Sequence, residues 1–157
     1  MQRILKIVLL VVGCAGVGYL SGMVTRESIT TWYPTLVKPV FNPPNWIFAP
    51  VWTSLYIMMG IAAGLIWTSG SDKKIIQKAL GFFAIQLGLN ALWSYLFFGL
   101  HNPLLALIEI VLLWLMIYET YSQFKRINKI AGYLLIPYLA WVSFATLLNA
   151  SIWWLNR

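Results

Sequence analysis

The side chains able to do chemistry in this 157-residue chain are aromatic rings and amides rather than acids, bases or nucleophiles. The single histidine, His101, and the single cysteine, Cys14, exclude a histidine metal cluster and an internal disulfide. The chain has no glycine-rich phosphate loop and no carboxylate pair suited to acid–base hydrolysis. We therefore predict no metal site and no resident cofactor. Any reaction would depend on Trp and Tyr side chains or on a molecule bound beside them.

Three segments place such side chains at helical spacing. Gln86, Asn90 and Trp93 follow one another at i, i+4 and i+7, while Trp52 and Tyr56 are four residues apart. The third face consists of Tyr138, Trp141, Ala145 and Asn149. These faces could line a mostly apolar pocket with a few polar groups, as in small-molecule sites. They could equally hydrogen-bond and pack the helices together, and spacing alone leaves both interpretations open.

The elements that carry these faces are predicted to cross a membrane. Hydrophobic residues make up 61% of the chain and charged residues 10%, whereas soluble domains have about 25% charged residues. Five apolar stretches each exceed the length of about 17 residues that a membrane-spanning helix needs. They cover residues 4–24, 46–68, 75–98, 103–124 and 130–155. We predict an all-α integral membrane protein, residues 1–157 forming a single bundle of five transmembrane helices.

The charge pattern predicts how the bundle is oriented. The net charge is +7, but the basic residues lie in short clusters between apolar runs, which argues against a nucleic-acid partner. With five spans, eight Lys and Arg residues fall on the side of the N-terminus and three, Arg26, Lys38 and Arg157, on the other. This bias predicts an N-terminus inside the cell, a C-terminus outside and a location in the inner membrane, in contact with lipid.

The first apolar segment has an alternative interpretation. A basic start, an apolar run and Cys14 could form a cleaved secretory signal with a lipid-modified cysteine. The run continues past Cys14 through VGYLSGMV, however, and a signal's apolar region has only about 7 to 15 residues. We therefore favour an uncleaved helix.

The long connection, residues 25–45, is expected to lie outside the membrane. It contains four prolines, so it cannot form one continuous helix. It also contains Trp32, Tyr33 and Phe41, which favour a lid packed on the bundle over a solvated linker.

Small residues and one acid mark further positions of interest. Gly18 and Gly22, Gly60 and Gly64, and Ala84 and Gly88 have the four-residue spacing that allows close helix contacts. For the third helix, contacts within the bundle and between subunits remain equally open.

Glu109 lies inside the fourth span, where a carboxylate is a functional candidate. Its shallow position favours instead a side chain that is protonated or reaches the membrane interface.

Three sequence blocks together resemble the translocator protein family, also called tryptophan-rich sensory proteins or peripheral-type benzodiazepine receptors. They are WYPTLVKPVFNPPNWIFAPVWTSLYIMMG (32–60), QLGLNALWSYLFFG (86–99) and PYLAWVSFATLLN (137–149). The blocks occur in the expected order, and the resemblance, to a bacterial member, covers nearly the whole chain. It implies a five-helix bundle, often a homodimer, with a cavity beneath the first loop. It also implies binding of protoporphyrin IX and related flat hydrophobic ligands.

The resemblance also implies which residues contact the ligand. Matching family positions are Tyr33, Pro43, Trp52, Asn90, Trp141, Ala145 and Asn149. The helical faces described above add Tyr56, Trp93 and Tyr138 to the expected ligand-binding residues. Animal members have a sterol motif after the last LN, but Ala150 and Ser151 stand here in place of its aromatic residues. Cholesterol is therefore not an expected ligand.

The expected function is that of a membrane receptor or sensor for porphyrins, with a role in tetrapyrrole transport or regulation. In the expected pose Trp52, Trp141 and Tyr138 stack on the macrocycle, Asn90 and Asn149 hold its polar edges, and Arg26 or Lys38 meets its propionates. The alternative is an enzyme that degrades porphyrin with light and oxygen, in which Trp52 and Trp141 are catalytic. Transport as the main role lacks support because the chain has no inverted repeats.

Overall fold

Helices account for the regular structure of the chain. The structure, a computed structural model, describes all 157 residues. Its helices are α1 (Gln2–Thr31), α2 (Phe48–Trp67), α3 (Lys73–Ser94), α4 (Pro103–Ile127), α5 (Lys129–Tyr133) and α6 (Ile136–Leu155). Five segments are long and apolar enough to cross a membrane: α1, residues 45–67, α3 with its extension to Gly99, α4, and α5 with α6. The prediction of an all-α chain with five spans is confirmed.

The first helix is longer than predicted. The sequence pattern ended it near residue 24, but α1 continues to Thr31 and only Trp32–Pro44 connects it to the second span. Residues 25–31 are polar, yet they contain neither proline nor glycine, so nothing interrupts the helical hydrogen bonds. The hydrogen bond from Trp32 N–H to the carbonyl of Ser28 ends this ladder, two residues before Pro34. Hydrophobicity marks where a helix meets lipid, not where it ends.

The third and fifth spans are irregular. After Ser94, α3 widens into a π-helical turn over Tyr95–Gly99, and α4 begins after Asn102, whose side chain accepts a hydrogen bond from Leu105 N–H at 3.0 Å. The fifth span was predicted as one helix over residues 130–155. It is instead divided into α5 and α6 by a turn at residues 134–135. Pro137 lies in the first turn of α6, where its missing N–H costs no helical hydrogen bond.

Glycine determines how closely α1 and α2 pack. A Cβ atom on Gly60 would collide with the backbone of Val11, and one on Gly64 would lie 2.8 Å from the Cα of Ile7. The two helices therefore pack backbone to backbone at the end of the bundle where α1 begins. The predicted Gly60–Gly64 pair therefore makes a helix contact within the bundle.

The connection Trp32–Pro44 packs on the opposite end of the bundle, which we call the loop end. Asn156, just after α6, pairs with the backbone of Val37: its Oδ1 accepts from Val37 N–H at 2.9 Å, and its Nδ2 donates to Val37 carbonyl oxygen at 2.8 Å. Trp32 stacks on His101 with ring centroids 4.3 Å apart. The connection is therefore attached both to α6 and to the turn before α4, as expected for a lid rather than a linker.

Candidate functional site

A cavity of about 480 Å³ lies at the loop end, between α1, α2, α3 and α6. Its volume is in the range of small-molecule sites. Its wall is mostly hydrophobic and rich in aromatic rings, which come from Phe48, Trp52, Tyr56, Trp93, Phe97, Phe98, Trp141 and Phe144. Tyr33, which is 2% exposed, closes it from the side of the loop. The arrangement suits a flat, apolar molecule.

Most of the residues expected to bind ligand lie together on this wall. They are Tyr33, Trp52, Tyr56, Trp93, Trp141, Ala145 and Asn149. Asn90, Tyr138 and Pro43 are not on it. Asn90 and Tyr138 are each 1% exposed and lie behind the wall, whereas Pro43 is a partly buried residue of the loop. The structure therefore does not support the expected stacking of Tyr138 on a ligand, nor a direct polar contact from Asn90.

A chain of hydrogen bonds explains why those two residues face away from the cavity. Tyr56 donates its hydroxyl proton to Asn90 Oδ1. Asn90 Nδ2 donates to the hydroxyl oxygen of Tyr138 at 2.7 Å, and Tyr138 donates in turn to Gln86 Oε1 at 2.7 Å. Buried amides and phenols require partners, and here they find one another across α2, α3 and α6. The face of α3 that the sequence singled out joins helices more than it lines the cavity.

Asn149 both lines the cavity and hydrogen-bonds to residues of other helices. It lines the cavity, but its Oδ1 accepts from Trp93 Nε1 at 3.0 Å and its Nδ2 donates to the carbonyl of Pro103 at 2.8 Å. Both polar atoms are thus in use, and the side chain fixes the orientation of the Trp93 ring. Its expected role of holding a polar edge of the ligand is therefore weakened.

Trp141 differs from Trp93 and Trp114 in the hydrogen bonding of its indole N–H. Its ring packs against Phe144 and Phe48, with centroids 5.4 Å and 6.2 Å away. Its Nε1–H is buried and has no hydrogen-bond partner. Trp93 donates to Asn149 and Trp114 donates to Ser143 Oγ at 2.8 Å. The Trp141 ring therefore lines the cavity while its N–H is buried away from the open space, and a buried N–H without an acceptor is unfavourable.

The cavity opens sideways between α1 and α2. Several of its lining residues are also exposed on the surface of the bundle: Ala15, Tyr19 and Arg26 of α1, and Ala49 and Thr53 of α2. We call this opening the side mouth. The sequence patterns did not assign α1 to the cavity. The only signal there was the Gly18–Gly22 pair, and it was read as a helix contact. In the structure Gly18 makes room for the ring of Tyr56, and a Cβ on Gly22 would meet nothing.

Comparison with known proteins identifies the chain. The sequence profile of the TspO/MBR family matches residues 8–155. The chain belongs to this family. It is 46% identical over 155 residues to the tryptophan-rich protein TspO of Chlorobaculum tepidum (99% of this chain, 98% of that one). It is 43% identical over 155 residues to the protein of the same name from Archaeoglobus fulgidus (99% of each chain). It is 39% identical over 141 residues to the translocator protein of Bos taurus (89% of this chain, 83% of that one).

Membership in the TspO/MBR family confirms the resemblance found in the sequence and, with the five apolar helices, shows a multi-pass membrane protein. The side mouth therefore faces the hydrocarbon of the membrane or its boundary, not water alone. A ligand dissolved in the bilayer would reach the cavity without passing the loop.

The two cations of the loop end differ in availability. Arg26 lines the side mouth, and the structure records no ion pair for its guanidinium. The ammonium group of Lys38 donates to the carbonyls of Tyr33 and Leu36 at 2.9 and 3.0 Å and lies 5.0 Å from the centre of the Tyr33 ring. Lys38 therefore stabilises the loop, and Arg26 is the cation that faces the cavity.

Tyr33 connects the loop to the cavity. Its hydroxyl donates to Asn42 Oδ1 at 2.6 Å, which holds the loop in its folded form. Burial raises the pKa of Tyr33 to about 12, because the phenolate would lose its hydration. The hydroxyl therefore keeps its proton, and its hydrogen bond, throughout the physiological pH range.

Glu109 is placed differently from what the sequence suggested. We expected its side chain to reach the membrane interface, but it is 6% exposed, and neither carboxyl oxygen has a hydrogen-bond partner. It lies on the buried face of α4, away from the cavity wall. No group of three or more His, Cys, Asp or Glu residues forms around it or elsewhere. The interface interpretation is wrong.

Proposed function

We propose that this protein is a membrane receptor that binds a porphyrin such as protoporphyrin IX, or a similar flat hydrophobic molecule, in the cavity at the loop end. The observation that carries the proposal is the aromatic wall built by Trp52, Trp93 and Trp141 around about 480 Å³. Apolar contact with such a wall gives most of the affinity in small-molecule sites, and a few polar groups give orientation.

The pose follows from which rings line the cavity. Trp52 and Trp141 contact the macrocycle directly with their indole rings. Asn90 and Tyr138 act from behind the wall, by fixing Tyr56 and the spacing of the helices. We further propose that the protein lies in the inner membrane with its N-terminus inside, which places the loop end outside.

A titration in the dark tests the receptor proposal. Protoporphyrin IX is added to purified protein while tryptophan fluorescence is recorded. We expect saturable quenching, with the dissociation constant raised about tenfold by Trp141→Phe, because the ligand loses part of its contact area with the indole ring.

Trp67→Phe is the matched control, because Trp67 lies at the opposite end of α2, beside Lys6, and lines no part of the cavity. Its affinity should equal that of the wild type. Linear quenching that responds equally to both substitutions would mean that the porphyrin merely partitions into detergent, and the receptor proposal would fail.

A second candidate function is light-dependent degradation of the bound porphyrin. It is favoured by one observation: Trp52 and Trp141 line the same cavity, so an indole could donate one electron to the excited macrocycle and regain it once dioxygen, the net oxidant, has added to the ring. Illumination of the saturated complex should then give one defined product, which Trp52→Phe abolishes while binding persists. Bleaching at equal rates in wild type and variant would exclude this activity.

A further inference from the structure

We propose that Arg26 makes the cavity selective for ligands that carry a carboxylate, with that carboxylate lying in the side mouth between α1 and α2. The inference rests on the proposed function, because it concerns the same cavity, and it adds a ligand class and a residue that recognises it.

The position of Arg26 along α1 matches the edge of the hydrocarbon layer. Between Lys6 and Arg26 the helix has no charged residue over residues 7–25, 19 in all. At 1.5 Å per residue these span about 28 Å, close to the 30 Å thickness of a bilayer's hydrocarbon core. The guanidinium therefore lies at the boundary, where water is scarcer than in solution and an ion pair is correspondingly stronger.

Arg26 is available to a ligand. It is exposed, it lines the side mouth, and it takes part in no ion pair. The neighbouring acid, Glu27, is adjacent in sequence and so points to a different side of the helix. The remaining cations of the loop end are engaged elsewhere. Lys38 is held by two carbonyls, and Arg157 stacks on Trp154 with 3.2 Å between guanidinium carbon and ring centre.

The shape of the side mouth indicates where the carboxylate and the apolar body lie. Tyr19 and Arg26 are seven residues apart on one face of α1, so about 10 Å of helix separates them. Across the opening, Ala49 and Thr53 present small side chains. The small side chains leave the opening free on the α2 side, so a ring system held against Trp52 can extend an acidic group toward Arg26. Guanidinium binds carboxylate through two parallel hydrogen bonds, which gives orientation as well as affinity.

Comparison of an acid with its neutral ester tests this directly. Protoporphyrin IX and its dimethyl ester have the same ring system and differ in the charge of the propionates. Both are titrated in the dark into protein in nanodiscs of phosphatidylcholine, which has no net charge. We expect the wild type to bind the acid about tenfold more tightly than the ester. Arg26→Gln should lose that difference by weakening only the acid, since one charge-assisted hydrogen bond contributes about a factor of ten.

Arg157→Gln is the matched control, because it removes the same charge from the same end of the bundle at a residue outside the cavity. It should behave as the wild type, and Arg26→Lys should restore part of the preference for the acid. Unchanged ester affinity in Arg26→Gln also shows that the cavity has folded.

The outcomes separate this inference from the proposed function. If acid and ester bind equally well to the wild type, or if Arg26→Gln and Arg157→Gln weaken the acid equally, the carboxylate selectivity is refuted and the receptor proposal stands. If neither compound binds saturably, both proposals fail.

Discussion

Asn90 shows how one amide can organise an aromatic site without touching the ligand. It accepts from Tyr56 and donates to Tyr138, so it joins residues of α2 and α6 to α3. Tyr56 then forms part of the cavity wall, while Tyr138 and Gln86 stay behind it. At the scale of single residues, the site depends on polar groups that satisfy one another and leave apolar surface facing the cavity.

Replacing Asn90 with Leu should destabilise the bundle. The substitution leaves two buried tyrosine hydroxyls each short of one partner, and an unsatisfied buried polar group costs about 1–3 kcal/mol. We expect a loss of about 2–4 kcal/mol in the free energy of unfolding, measured by denaturation in mixed micelles. The role expected from the sequence was different, because there Asn90 was to hold a polar edge of the ligand.

Ser151→Ala is the control for Asn90→Leu, since the hydroxyl of Ser151 bonds only to the carbonyl of Leu147 in its own helix, at 2.9 Å. It should change stability by less than about 0.5 kcal/mol. If Asn90→Leu is equally mild while affinity for porphyrin falls, Asn90 contacts the ligand after all.

Tyr33 should make the attachment of the loop sensitive to pH only under alkaline conditions. Burial raises its pKa from 10.0 to about 12. The unfolded chain therefore ionises first, and the stability contributed by the neutral phenol is constant below pH 10 and declines as pH rises from 10 to 12. We expect wild-type protein to lose about 2 kcal/mol more than Tyr33→Phe between pH 9 and pH 11.5. Equal losses in thermal unfolding scans would show that the hydroxyl is not buried on folding.

At the scale of helices, the contact between α1 and α2 depends on the absence of side chains. Gly64 faces the backbone of Ile7, so Gly64→Ala should force the helices apart and cost stability. Gly16→Ala is the matched control on α1, where a Cβ would meet nothing within 4 Å. Alanine is about 0.5–1 kcal/mol better than glycine in a helix. The two substitutions should therefore change the unfolding temperature in opposite directions, and a rise in both would mean that the helices pack less closely than described.

At the scale of the whole molecule, the exposed small residues of α3 form a face on which a second copy of the chain could pack. Gly81, Ala84 and Gly88 are exposed, and a Cβ on either glycine would meet nothing within 4 Å, so this face is not used inside the bundle. Faces of small residues let helices of neighbouring subunits approach closely in lipid. We propose that the homodimer implied by the sequence resemblance forms here.

Gly88→Leu should then convert dimers to monomers without lowering the affinity of the cavity. Mass measurement by light scattering in detergent checks the first part, and porphyrin titration checks the second. Gly13→Leu, at an exposed glycine of α1 with equally open space, should leave the mass unchanged. A dimer that survives Gly88→Leu would place the interface on another face.

The five spans and their aromatic, amide-bearing faces were predictable from the sequence because both depend on local composition. A helix in lipid satisfies its own backbone, so apolar length alone identifies a span. Trp52, Trp141 and Tyr33 were likewise identifiable by residue type, helical spacing and family resemblance. The end of α1 at Thr31 was missed because the last polar turns of a helix leave no hydrophobic signal.

Tertiary structure decided which inward-facing residues bind one another and which face the cavity. Asn90 and Trp93 share a helical face, yet the first joins the buried hydrogen bonds and the second lines the wall. Likewise Arg26 and Lys38 are both basic residues near the loop end, but the folded loop supplies carbonyls to Lys38 alone. Periodicity gives the direction of a side chain about its own helix. Its partners depend on the distance and rotation of helices far apart in sequence, which only their packing determines.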